Sequence, residues 1–110
     1  TCPRCGALAR PNILMFGDAA WDATPSLDQE ERLRAWFADL HDAGARLVVV
    51  ECGAGRTIPT VRGTCERAAR LLGGLLVRLN PRDPQVPAGH VGLPLPALAA
   101  LQALDARLPA

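Results

Sequence analysis

Residues 46–72 constrain the fold more than any other stretch of the chain. Leu47-Val48-Val49-Val50 is an unbroken apolar run, Glu51-Cys52-Gly53-Ala54-Gly55 is a turn, and a helical pattern begins near Pro59. A β-branched run that is continuous, with no alternation, fits a strand buried on both faces of a parallel sheet. After the turn, Ile58, Val61, Cys65, Ala68 or Ala69, and Leu72 recur at helical spacing, with Pro59 acceptable in the first turn, until Gly73-Gly74 ends the helix. Leu75-Leu76-Val77-Arg78-Leu79 is the next strand, broken at Asn80-Pro81. The unit is βαβ, a crossover that is almost always right-handed, so both strands end on one edge. That edge gathers residues 53–56 and Asn80, where open parallel sheets bind ligands.

Gly53-Ala54-Gly55 supplies two of the three glycines of a dinucleotide fingerprint. Its small residues let backbone amides approach a ligand, and the helix amino end offers partial positive charge to a phosphate, which Arg56 can reinforce. Asn80 can both donate to and accept from a ribose hydroxyl. The plainer alternative is that the glycines close a tight strand-to-helix turn and Asn80 caps a loop.

The flanks complete an α/β layout. Pro25, a possible Ser26/Gln29 capping box and Asp28, Glu30 and Glu31 near the amino end specify a helix from Ser26. Leu33, Trp36, Phe37 and Leu40 form its apolar stripe, with Trp36 and Phe37 expected in the core and the stripe against a sheet. His41 falls in the last turn before Gly44, and reads as a surface or capping residue. Pro81, Pro84, Pro87 and Gly89 define an irregular loop in which His90 reads as a surface residue. Leu95, Leu98, Leu101 and Leu104 predict a terminal helix covering the sheet, with Pro94 or Pro96 at its start.

At the amino end, Cys2-Pro3-Arg4-Cys5-Gly6 has the spacing of a zinc knuckle, a tight turn in which two thiolates face one tetrahedral metal. It is half a site, because Cys52 ends a strand and Cys65 sits on a helix face; the missing pair is expected upstream. A redox dithiol is the alternative. Arg10-Pro11-Asn12 is a turn, and Ile13-Leu14-Met15-Phe16 predicts a short strand stopped by Gly17-Asp18. This strand reads as core, or as an edge that receives a peptide.

The chain has 110 residues, nearly half apolar, and a formal net charge of +1. One domain, or part of one, is the expectation. The charge provides no basic face for nucleic acid or anionic lipid, and no run is long enough to span a membrane. With a metal-like cysteine spacing and no secretory feature, a reducing, cytoplasmic setting is expected.

The order of these motifs resembles the second half of a sirtuin, the family of NAD-dependent protein lysine deacylases. The most specific part is the CPxCG turn at 2–6 followed closely by Arg10-Pro11-Asn12-Ile13-Leu14-Met15-Phe16-Gly17-Asp18; the buried strand with its small-residue turn and Leu79-Asn80 follow in order. The resemblance covers nearly the whole chain. It implies the carboxyl-terminal part of one catalytic domain: half a zinc ribbon at 1–9, a substrate-facing strand at 10–18, and part of a Rossmann-like parallel sheet with flanking helices at 26–108.

By position, the resemblance makes Cys2 and Cys5 ligands of a structural zinc. Leu14, Met15, Phe16, Gly17 and Asp18 match the segment that lines the acyl-lysine tunnel and pairs with the backbone of an acylated peptide. Asn80 matches the asparagine at the adenosine ribose. The Gly-Thr-Ser turn of typical members becomes Cys52-Gly53-Ala54 counted from Pro59, or Gly53-Ala54-Gly55 counted from the strand end. Both hydroxyls are lost, and with them their side-chain hydrogen bonds, so that any contact to NAD is expected from the backbone alone.

The family's catalytic His-Gly, first glycine-rich loop and first zinc pair belong upstream of the position matching Cys2. Neither His41 nor His90 falls where the catalytic base stands, so this chain alone is expected to be inactive. In the family, the acyl-lysine amide oxygen attacks the nicotinamide ribose, and nicotinamide and an acyl-ADP-ribose leave. Two alternatives stand beside this reading: a non-catalytic NAD- or ADP-ribose-binding module of the same fold, and a zinc-ribbon interaction protein.

Overall fold

A computed structural model describes residues 1–108. Its elements, in order, are α1 (Thr24–Asp42), β1 (Val48–Cys52), α2 (Thr60–Leu71), β2 (Leu75–Leu79), β3 (Val91–Leu93) and α3 (Ala97–Asp105). The chain divides into two compact units, Thr1–Ala35 and Trp36–Ala110, with the division inside α1. No helix among the described residues is long and apolar enough to cross a membrane.

The second unit holds a three-stranded, wholly parallel sheet in the order β1-β2-β3, with α2 as the crossover between the first two strands. The expected βαβ unit is therefore present, as part of a mixed α/β fold. β1 begins one residue later than Leu47 and runs on through Glu51 and Cys52, because these two pair with Arg78 and Leu79 instead of entering the turn. The Leu47 carbonyl still accepts the Leu75 N–H at 2.9 Å, and Gly74 lies so close that a Cβ there would stand 2.6 Å from that oxygen.

The fully buried apolar residues among those described are Ala68, Ala69, Leu76, Leu79 and Ala100. Small alanines let helices approach closely, and so α2 lies near the sheet. Of the expected stripe, Ala68 and Ala69 are buried and Cys65 and Leu72 half-buried, whereas Ile58 and Val61 are exposed and Arg62 is buried in their place. Spacing of three and four puts Arg62, Cys65, Glu66 and Ala69 on one face. Register places Glu51, Arg78 and Gly92 in one row across the three strands, on the same side as Val49 and Leu76. That row carries the polar network described below.

Several expectations change. Residues 13–16 form no strand; they belong to the first unit, where the Arg10 guanidinium donates to the Ile13 carbonyl at 2.8 Å and a turn brings the Asp18 N–H to the Met15 carbonyl. With no partner strand, the apolar run stays irregular. α1 starts at Thr24, two residues before Ser26, since Asp22 Oδ1 accepts the Thr24 N–H at 3.0 Å and Pro25 is harmless in the first turn. No α1 residue is buried; Trp36 is 49 % exposed and packs its ring 5.5 Å from that of Phe37. His41 is exposed, as expected.

The loop after β2 contains a strand that the sequence reading missed. β3 pairs with β2 over only three residues, one of them Gly92, too short and too irregular to show a period. His90 is half-buried and structural, its Nδ1 accepting the Leu76 N–H at 3.1 Å. α3 begins after Pro96 and turns Ala100 inward, leaving Leu98 exposed and Leu101 and Leu104 lining an apolar groove with Val50.

Candidate functional site

The carboxyl edge of β1 and β2 brings the nucleotide-site candidates of the second unit together. The Gly53 N–H donates to the Leu79 carbonyl at 2.9 Å, the last rung of the ladder, and Gly53 then turns the chain with φ +67°, a conformation that penalises any side chain. Ala54 follows with its carbonyl facing inward, where it accepts Asn80 Nδ2 at 3.1 Å and Arg62 Nη1 at 3.2 Å. A trans peptide holds its C=O and the next N–H in opposite directions. The Gly55 N–H therefore points away from the protein, and among the described residues no acceptor takes it.

Asn80 is only 5 % exposed, and its amide is occupied at both ends. Beyond the bond to Ala54, its Oδ1 accepts the N–H groups of Arg82 (3.0 Å) and Asp83 (2.9 Å). This is the loop-capping alternative realised: Asn80 ties the turn after β1 to the loop after β2. Any ligand at this edge meets it through a side chain already committed to the chain's own backbone. A ligand here would accordingly meet backbone groups of residues 53–55, with Cys52 and Gly53 exposed beside them.

A polar cleft of about 250 Å³, lined by Arg56, Pro59, Arg62, Gly63 and Glu66, opens beside the amino end of α2. Arg56 is largely exposed and pairs with Asp83 at 3.7 Å. Arg62, 8 % exposed, spends its guanidinium on carbonyl oxygens: besides Ala54, Nη1 reaches Asp83 at 3.1 Å and Nη2 reaches Gln85 at 3.0 Å.

Beneath the turn lies a buried network that the sequence reading missed. Arg78, 1 % exposed, donates from Nε to Glu51 Oε1 at 2.5 Å and from Nη2 to Glu51 Oε2 and Glu66 Oε1, both at 2.9 Å, while Nη1 donates to the Gln85 carbonyl. The hydrogen bonds that Arg78 donates to Glu51 push its pKa up, which keeps the guanidinium charged. Cys65 packs against the same group, and burial first, then the Glu51 carboxylate, raise its thiol pKa. The one available signal was positional: Glu51 and Arg78 interrupt two otherwise apolar strands at positions that a parallel register sets side by side.

In the first unit, Cys2 and Cys5 form the expected turn. It is closed by Gly6 N–H to the Cys2 carbonyl at 2.8 Å and Cys2 N–H to the Ala7 carbonyl at 2.7 Å, with Gly6 at φ +73°. The backbone amide of Cys5 and then that of Arg4 lower the Cys2 thiol pKa from its ordinary value. Such a donor pair fits half of a tetrahedral zinc site. Among the described residues no group of three or more His, Cys, Asp or Glu gathers as a metal site.

Leu14, Met15 and Phe16 lie exposed in the same unit, Phe16 at 97 %. Their loop is held from within. Arg10 pairs with Asp18, Trp21 Nε1 donates to the Asn12 carbonyl at 3.3 Å, Asn12 Nδ2 donates to the Asp22 carbonyl at 2.9 Å, and Gly17 turns with φ +72°. An apolar tip displayed on a pinned loop is suited to contact another chain.

The opposite shifts of the two thiols give a test. Cys2 is expected to alkylate well before Cys65 in the native protein at neutral pH, followed by mass spectrometry with iodoacetamide. Because the folded-state thiol of Cys65 binds its proton more tightly than the unfolded one, its contribution to stability is whole below the ordinary thiol pKa and is lost as pH rises from there through the raised folded value. Equal rates for both thiols would refute the assignment of these environments.

No protein-family model, curated protein or solved structure was found to match the chain.

Proposed function

We propose that this chain is part of a sirtuin-like NAD-dependent protein lysine deacylase, contributing the adenosine side of the NAD pocket, a peptide-facing segment and half a structural zinc site. The observation that carries the reading is the convergence at one sheet edge of a glycine turn and the asparagine after the neighbouring parallel strand, joined through the Ala54 carbonyl. NAD supplies the chemistry, a nicotinamide–ribose bond that an acyl-lysine oxygen can displace. The chain's own part is to bind and orient: the outward Gly55 N–H and its neighbours toward the nucleotide, residues 14–18 toward an acylated peptide, and Cys2 and Cys5 toward zinc. The catalytic base belongs to the part of the family pattern that precedes Cys2.

Asn80 acts in this reading by shaping the pocket wall, and its direct contact with a ribose hydroxyl is the weaker of its two possible roles, since its amide already makes three hydrogen bonds. The same commitment favours, as a second reading, a module that binds NAD or ADP-ribose without turning it over. Titrating the complete protein with ADP-ribose tests both: the backbone amide resonances of residues 53–55 are expected to shift saturably. Saturable binding that leaves those resonances unmoved would remove the site from this edge. Nicotinamide release, measured separately, distinguishes the enzyme from the module.

A further inference from the structure

Arg62 occupies the place where a reader of the site would look for a phosphate ligand, on the first turn of α2 beside a glycine turn and a polar cleft. Its bonds describe a different role. The guanidinium donates to three carbonyl oxygens from two separate loops, Ala54 in the turn after β1 and Asp83 and Gln85 in the loop after β2. Among the described residues it forms no ion pair with a carboxylate.

We infer that Arg62 is a positioning residue that locks the β1–α2 turn and the loop after β2 into one cradle, and thereby fixes the direction of the Gly55 N–H. The lock works through the planar trans peptide between Ala54 and Gly55: with the Ala54 carbonyl held inward by Arg62 and Asn80, the Gly55 N–H is held outward. Asn80 alone supplies a single bond to that carbonyl, so the peptide can rock about it once Arg62 is gone. The loop after β2 loosens at the same time, because Asp83 loses its bond from Arg62 and Gln85 keeps only the one from Arg78. A fork is required, since one ammonium group on a flexible stem cannot hold carbonyls in both loops with the same geometry. The inference rests on the proposed nucleotide site only for what the outward amide binds.

The test compares Arg62→Lys, which keeps the charge and loses the fork, with Arg62→Met, which loses both. Native-state hydrogen exchange in the complete protein is expected to speed up about tenfold or more at the hydrogen-bonded amides of the two loops, Gly53, Arg82 and Asp83, in both variants, the scale set by losing hydrogen bonds to a charged group. Amides of β2 are expected to keep their protection. Affinity for ADP-ribose, measured by calorimetry, should fall by a similar factor in both. Unchanged exchange in the two loops, or a rise shared equally by β2, would overturn the positioning role. Retention of wild-type exchange in Arg62→Lys alone would assign the effect to charge and equally overturn it. If the wild-type protein binds no ADP-ribose, the nucleotide reading fails while the exchange result still decides the lock; if Arg62→Met does not fold, Arg62→Lys decides it.

Discussion

Arg78→Met is expected to lower the stability of the protein by about 3–5 kcal/mol, the cost of stripping one partner from a buried ion pair. Glu51, whose side chain is fully buried, would be left with its charge and without the guanidinium that now answers both carboxylate oxygens. Against a typical folding free energy of about 5–15 kcal/mol, a loss of this size brings the chain close to unfolding at room temperature. Denaturant melts of the variant give the number directly. The pair does not by itself argue for high stability, since replacing both members by apolar groups often costs little. The double variant Glu51→Leu/Arg78→Met should therefore recover most of the loss. Glu66 is partly exposed and can be hydrated, and the Gln85 carbonyl retains Arg62. A double variant as unstable as Arg78→Met alone would mean that the network holds the fold through geometry that packing cannot replace.

The second large effect falls on Gly92. This glycine pairs with Arg78 in the sheet, and the Pro84 carbonyl occupies the space where its Cβ would go. Gly92→Ala must push that backbone aside, an overpacking whose cost is about 1–3 kcal/mol, and larger side chains should cost more. The displaced residue immediately precedes Gln85, whose carbonyl takes hydrogen bonds from both Arg62 and Arg78. The effects of Gly92→Ala and Arg78→Met should consequently fail to add, since both disturb one shared anchor. Thermal melts of the two single variants and the double variant measure the coupling. A Gly92→Ala variant as stable as wild type would show that the loop moves freely away from the sheet.

These two positions also mark where reading the sequence reached its limit. β1, α2 and β2 were legible because their apolar period is long and glycines punctuate it, and their parallel pairing followed from the βαβ order. Arg78 inside Leu75-Leu76-Val77-Arg78-Leu79 is the largest fully buried side chain among the described residues, and its own strand did not show it, because a lone charge in a short strand ordinarily faces water. Its burial depends on Glu51 and Glu66, partners separated from it in sequence and joined only by register and by the α2 crossover. Gly92 likewise carried no reading in the sequence, since its reason is a tertiary contact with Pro84.

In the candidate site, Gly53, Ala54, Gly55 and Asn80 were legible as one cluster, since strand ends converge in a parallel sheet. What Asn80 and Arg62 do there was not. Side chains that hydrogen-bond to backbone carbonyls leave no periodic or compositional trace, and their targets lie in loops whose paths local sequence does not set. The apolar run at 13–16 failed as a strand for a related reason: strand propensity acts only where a partner offers a ladder, and Arg10 and Asp18 instead close the segment on itself.

The central claim is that this sheet edge serves an NAD-dependent deacylase, and the most direct measurement is nicotinamide release by the complete protein incubated with NAD and an acetyl-lysine peptide. The expected result is release that requires the acylated peptide and falls in step with ADP-ribose affinity in Arg62→Lys. ADP-ribose binding at residues 53–55 with no peptide-dependent release would leave a nucleotide-binding module, and the absence of both binding and release would contradict the account.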